Sequence, residues 1–331
     1  MSHRHWSAPW ILPLLVAGGA IAQAGPASRP ASAPAAPPGM VWIPGGEFRM
    51  GADDQYPEER PTRPMRVAGF WIDRHEVTNR RFAEFVRATG HVTEAERPPT
   101  REQYPDARND LLVAGSAVFT AIPDGQPAPE LSWWHYVPGA DWRHPSGPDS
   151  SIAERMDHPV VQVTWADAQA FARWAGCALP TEAQWEWAAR AGSQARYAWG
   201  DEFRPGGRFM ANTFQGEFPR PDQGLDGFVG TAPVGSFPPN GFGLFDMIGN
   251  AWEWTAEVFD PTVDAAASQP SVRRRTLRGG SFLCAPDYCC RYRPSARIGV
   301  PEDTSTNHIG FRCVRVPEAA ASRPAGTQPG R

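Results

Sequence analysis

The chain has 331 residues, 21% of them charged, and carries 32 Lys and Arg against 36 Asp and Glu for a net charge of −4. That balance offers no basic face for nucleic acid and no cationic stripe for an anionic membrane, so neither is expected as a partner. Lysine is absent from the sequence, and 14 Trp, 36 Pro and 32 Gly point to a loop-rich fold in which large rings pack irregular segments.

His3 and Arg4 precede an apolar run from Trp10 to Ala22, and Ala22-Gln23-Ala24 is a small-x-small cleavage pattern. Residues 1–24 therefore read as a signal peptide, and the protein as exported to a bacterial periplasm or secreted. Pro13 and Gly18-Gly19 interrupt the run, so no stable membrane span is expected. Residues 25–39 are a Pro/Ala-rich linker, and the tail 318–331 has the same composition. Between them lies one domain, residues 40–317.

Within it, "MVWIPGGEFRMG" has two short apolar runs around Gly45-Gly46, which suits a hairpin. "FWIDRHEVTNRRFAEFVRATG" reads as a strand and then a helix capped by Thr78, with Phe82, Phe85 and Val86 on one face and Gly90 as its end. His91 to Met156 is long and irregular, but its tryptophans argue for order. Two more helices follow. One starts at Thr164, turns Ala168, Phe171, Ala172 and Ala175 to one side and stops at Gly176. The other has a Thr181/Gln184 capping box, Trp185 and Ala188 inward, and Gly192 as terminator. Beyond Gly192 come short apolar pieces separated by Gly, Pro and Asn, ending in a strand-like "GFRCVRV". The fold class is α+β, an irregular, loop-rich single domain with little regular secondary structure.

Two segments gather oxygen. "LFDMIGNAWEW" sets Asp246 and Glu253 around Gly249 and Asn250, and "ANTFQGEFP" followed by "GLDGFVG" offers Asn212, Asp226 and nearby carbonyls. Calcium takes six to eight oxygens from side chains and carbonyls. Neither segment has the alternating acidic pattern of an EF-hand loop, and solvated or turn-capping carboxylates explain the spacing as well.

Three of the five cysteines fall in "RGGSFLCAPDYCCRYRPSAR", residues 278–297. A zinc site would need two more soft ligands, and none accompanies them at ligand spacing. Ser281 lacks a nucleophile-elbow context. Two readings of Cys284 and Cys289 stay open: a disulfide closing a small loop in an exported protein, or two thiolates on a thiophilic ion such as Cu(I). Cys290 shares neither role easily, because adjacent side chains of an extended segment point to opposite faces.

"GGSFLCAPDYCCRYRPSAR", "GFRC", "GNAWEW", "ALPTEAQWE" and "WRHPSGPDSS" together resemble the formylglycine-generating enzymes, the sulfatase-modifying oxidases, over about Met40 to Val316. The resemblance implies a fold of that family's type, related to C-type lectins. It implies a copper-dependent oxidase that uses O2 and a thiol reductant. Its partner would be an unfolded sulfatase polypeptide, whose Cys-x-Pro-x-Arg cysteine becomes Cα-formylglycine. Cys284 and Cys289 match the family's Cu(I) ligands, Ser281 a residue lining the O2 and substrate pocket, and Trp252, Tyr288, Arg291 and His308 its neighbours. Two calcium (Ca2+) sites carry over as well. Asn212, Thr213, Asp226 and Phe228 match one, and Asp246, Gly249, Ala251 and Glu253 the other, with Asp246 in place of the usual Asn.

There are departures. Ala285 stands where vertebrate members have His, and His308 where they have Asn. Ala172, Ala189 and Pro294 replace vertebrate disulfide cysteines. Cys313 thereby loses its partner and is expected as a buried free thiol, with pairing to Cys177 the alternative. A monomer is expected. The alternatives are a non-catalytic lectin-like binding module, which needs no spaced cysteine pair, and an iron-dependent sulfoxide synthase, which needs a histidine cluster that eight scattered histidines do not supply.

Overall fold

Strand pairing departs from sequence order at the start of the domain. In the computed structural model, which describes residues 36–260 and 273–317, β1 (Met40–Ile43) and β2 (Gly46–Met50) do not form the expected hairpin. β1 pairs with β4 (Phe70–Asp73), and β2 with β3 (Arg63–Val67). Pro44 and Gly45 lack the positive φ that a two-residue hairpin turn needs, and Gly45 is pressed against the Val67–Gly69 backbone. The signal peptide, linker residues 25–35 and the tail lie outside the described residues.

The helices follow their local signals. Thr78 accepts a hydrogen bond from Arg81 N at the start of α1 (Asn79–Thr89), and Gly90 closes it at φ 68°. Capping boxes open α2 (Trp165–Trp174) at Thr164 and α3 (Glu182–Arg190) at Thr181, each satisfying otherwise orphaned N–H groups. The left-handed cap of α3 is Ala191 at φ 48°, one residue before the expected Gly192. Phe82, Phe85 and Phe171 meet between α1 and α2 with Phe311. Rings of this size remove roughly 150–250 Å² each from water.

The irregular stretch from His91 is ordered around a hairpin of β5 (Gly115–Phe119) and β6 (Trp134–Pro138). The remaining strands are β7 (Trp252–Val258), β8 (Arg274–Arg278), β9 (Arg297–Pro301), β10 (Ile309–Gly310) and β11 (Val314–Arg315). Four of them form a sheet of order β10-β7-β8-β9, with β10 parallel to β7, while β11 pairs with β4 on the edge opposite β1. Thus "GFRCVRV" is two short strands, and the buried residues Phe311, Arg312 and Cys313 lie between them.

Candidate active site

β8 ends at Arg278, and Gly279-Gly280 then turns the chain into the cysteine segment. Gly280 has φ 75°, and a Cβ there would lie 3.0 Å from Arg291 O and 3.1 Å from Tyr292 Cα. Only glycine fits where the outgoing and returning limbs cross this closely. Between the limbs, Cys284 N donates to Ser281 O at 2.9 Å and Cys289 N to Ala285 O at 3.1 Å. The two turns bring Cys284 Sγ and Cys289 Sγ to 2.9 Å, both as free thiols.

Cys284, Cys289, Ser281, Trp252, Tyr288, Arg291 and His308 all line one cavity of about 660 Å³. Ser281 Oγ accepts from Leu283 N at 3.2 Å, which holds the hydroxyl over the turn. Burial pushes the Cys284 thiol well up. The hydrogen bond from Cys284, with the Arg291 guanidinium assisting, holds the Cys289 thiol below the ordinary range, at about 7. Cys289 is therefore the readier thiolate of the pair. Cys290 points elsewhere, with Sγ 2.9 Å from Pro286 O.

The opposite wall comes from distant segments. Leu131, Trp134 and Phe218 line it, and Phe218 stacks on Tyr288 at 4.0 Å and 5°. Trp134 packs on His308 at 4.9 Å. Of these, "WWH" was visible in sequence as a tryptophan-rich run, while Phe218 and Leu131 carry no local signal.

The oxygen-rich residues sit apart from the cysteines, in two groups. Asp226 Oδ2 accepts from Gln215 Nε2 at 2.8 Å and from Thr213 N at 3.3 Å, and Oδ1 accepts from Phe228 N at 3.0 Å. Gln215 Nε2 also donates to Thr213 O, so Thr213 O and Asp226 Oδ2 converge on one point, now held by an amide donor. Asn212 Nδ2 reaches Gly230 O at 2.9 Å and Asn250 Oδ1 at 3.1 Å.

In the second group Gly249 has φ 80° and crosses so close to Asn212 that a Cβ would meet its carbonyl oxygen at 2.2 Å. Ala251 is buried beside it. Glu253 accepts from Arg312 Nε at 2.9 and 2.7 Å and from Trp185 Nε1 at 2.8 Å. Burial pushes the Asp246 carboxyl up to about 6 and the Glu76 carboxyl well up. Glu76 Oε2 is buried without a hydrogen-bond partner. Three buried carboxyl groups thus surround one guanidinium, which offsets only part of the cost of ionising them. Among the described residues no group of three or more His, Cys, Asp or Glu is arranged to hold a metal ion; both oxygen groups rely on backbone carbonyls as well.

The family profile of the sulfatase-modifying factor enzyme 1-like domain matches residues 26–317. The chain belongs to this family. Its relatives include the formylglycine-generating enzyme of Mycobacterium tuberculosis, 53% identical over 84% of this chain and 98% of that protein. The formylglycine-generating enzyme of Bos taurus is 43% identical over 87% of this chain and 77% of that protein. A Mus musculus relative named inactive C-alpha-formylglycine-generating enzyme 2 is 40% identical over 87% of each chain. Among solved structures, PvdO from Pseudomonas aeruginosa matches with a TM-score of 0.56 and 26% identity, covering 83% of this chain and 93% of that one. The family thus includes proteins named formylglycine-generating enzymes and one named inactive.

His308 gives this family member's cavity a pH-dependent element. Its Nδ1 lies 2.7 Å from Thr306 Oγ1, and burial lowers its pKa to about 3. In the unfolded chain the imidazole takes up a proton from about pH 6.5 downward, so between that pH and 3 the unfolded state holds the extra proton. Stability is expected to fall as pH drops through this window, by up to about 2 kcal/mol at pH 5. Urea unfolding at pH 7 and pH 5 checks it: His308→Asn should lose less stability between the two than the wild type, and equal losses would refute the assignment.

Proposed function

We propose that this protein is an enzyme that converts the cysteine of a Cys-x-Pro-x-Arg segment in an unfolded sulfatase to Cα-formylglycine. The observation that carries the reading is the Cys284–Cys289 pair at the head of the cavity. The relatives named formylglycine-generating enzymes support it.

Two neighbouring thiols with one held low suit a soft monovalent ion, and we assign Cys284 and Cys289 as ligands of Cu(I). When bound, Cu(I) supplies the one-electron chemistry that lets O2 oxidise a thiol carbon. The chain's own groups do the rest. Arg291 offsets negative sulfur charge at the cavity wall, while Trp252, Tyr288 and Trp134 exclude water. A cavity of about 660 Å³ walled by Trp134, Phe218, Trp252 and Tyr288 has room for a few residues of an extended peptide. In the net reaction R–CH2–SH, O2 and two reductant thiols give R–CHO, H2S, H2O and one disulfide. The substrate's C–S bond and one C–H bond break, and the substrate and the reductant each supply two of the four electrons that reduce O2.

We further assign Ca2+ to the two oxygen groups. Convergence of Thr213 O and Asp226 Oδ2 on one point supports the first. The unpartnered Glu76 Oε2 and the excess of carboxylate around Asp246 support the second, with Glu253 engaged mainly by Arg312. We also infer export, so the substrate must be met before it folds. The test is mass spectrometry of a Cys-x-Pro-x-Arg peptide incubated with protein, Cu(I), O2 and a thiol reductant. Aldehyde formation that requires all four is expected; an unchanged thiol rejects the reading.

A further inference from the structure

Among the described residues, Arg291 is the one arginine on the cavity wall, and something must decide where its guanidinium points. A free arginine side chain is rich in rotamers, so an unrestrained one would sample many positions beside the thiols. Here a single helical turn, Pro57–Glu59, restrains it. Arg291 Nε donates to Glu58 Oε1 at 2.8 Å, and Nη2 lies 2.6 Å from the same oxygen. The guanidinium carbon stands 3.9 Å from the Tyr56 ring centroid. Both charged side chains are mostly buried, at 22% and 10% exposure, so water screens the pair little. Glu58 takes one edge of the five-donor fork and Tyr56 one face, which leaves the remaining donors for the cavity.

We propose that Glu58, assisted by Tyr56, is a positioning residue that acts through Arg291, holding the guanidinium against the sulfur charge of the Cys284–Cys289 pair. The proposal rests on the copper reading above. It also explains why two consecutive glutamates occur in "YPEERP". Glu59 serves another end, because its carboxylate binds Arg293 at 2.5 and 3.1 Å and Ser295 Oγ at 2.6 Å, with the residue only 2% exposed. Glu59 anchors the turn to the segment beyond the cysteines, so removing Glu58 leaves that anchor in place. The two thiolates and an incoming substrate thiol place more negative charge here than one monovalent ion neutralises, and a fixed guanidinium offsets the remainder.

The full-length protein, reduced and titrated with Cu(I) against a competing chelator, tests this without turnover. Glu58→Ala is expected to weaken Cu(I) binding of the folded protein about tenfold, the lower end of what outer ligand-orienting partners contribute, and to lower the melting temperature as Arg291 loses its ion-pair partner. Glu58→Gln should recover part of the loss. In an Arg291→Ala background, Glu58→Ala should add nothing, because the coupling runs through that one side chain. Unchanged Cu(I) affinity in Glu58→Ala, or a full additional loss in the Arg291→Ala background, overturns the proposal. If the wild type binds no Cu(I), the copper reading fails separately. The clamp is then judged on a crystal structure of metal-free Glu58→Ala, where the Arg291 guanidinium should leave its place 3.9 Å from the Tyr56 ring centroid, and an unmoved guanidinium overturns it.

Discussion

Cys289→Ser is expected to leave no measurable conversion of a Cys-x-Pro-x-Arg peptide, whereas Cys290→Ser retains most of it. The two sulfurs differ by one position in sequence and entirely in surroundings. Cys289 lines the cavity and meets Cys284 Sγ at 2.9 Å; Cys290 turns back to the Pro286 carbonyl. Serine nearly matches cysteine in size but gives a hard oxygen where a soft ion needs sulfur. Loss of one of two ligands should exceed the roughly 10²–10³-fold cost of deleting a single stabilising donor, and Cys284→Ser should behave alike. The measurement is kcat/KM by mass spectrometry of the aldehyde product. Cys289→Ser activity within tenfold of wild type would remove the pair from the chemistry.

What the sequence made legible was local. Thr78, Thr164 and Thr181 marked helix starts because a cap and its partner are three residues apart. The Gly-Gly-Ser turn and both cavity cysteines sit within twelve residues, so one motif holds that half of the site. The other half is assembled by contacts that no short window contains. Phe218 stacks on Tyr288 from 70 residues away, and Glu58 binds Arg291 across 233. Strand pairing failed for the same reason: β1 and β2 are adjacent in sequence, yet their partners are β4 and β3. The β5–β6 hairpin was hidden by a long connection in which Asp124-Gly125 is not flanked by alternating apolar residues. Arg312 was passed over entirely, since a buried arginine and a surface one look alike in a single sequence.

That arginine should dominate stability. Arg312 is fully buried and donates to Glu253 and to the carbonyls of Phe245 and Asp246 at 3.0 and 3.3 Å, with Asp73 and Arg74 O at 3.3 and 3.4 Å. It thereby ties β4, the Asp246 loop and β7 to the segment before β11. Arg312→Met keeps the bulk but leaves Glu76, Asp246 and Glu253 facing one another without the guanidinium and four carbonyls without this donor. Removing one partner of a buried ion pair costs about 3–5 kcal/mol, which in a domain of this size lowers the melting temperature by roughly 10 °C. Arg312→Lys should be intermediate, because an ammonium keeps the charge but lacks the planar five-donor fork. Calcium supplies an internal control. If the Asp246 loop binds Ca2+, saturating Ca2+ at 100-fold its dissociation constant stabilises the fold by about 2.7 kcal/mol, and chelation lowers the wild-type melting temperature accordingly. Calorimetry of both proteins with Ca2+ and with chelator measures the two effects. An Arg312→Met protein melting within 2 °C of wild type would show that the carboxylates are neutralised by protonation instead of by the guanidinium.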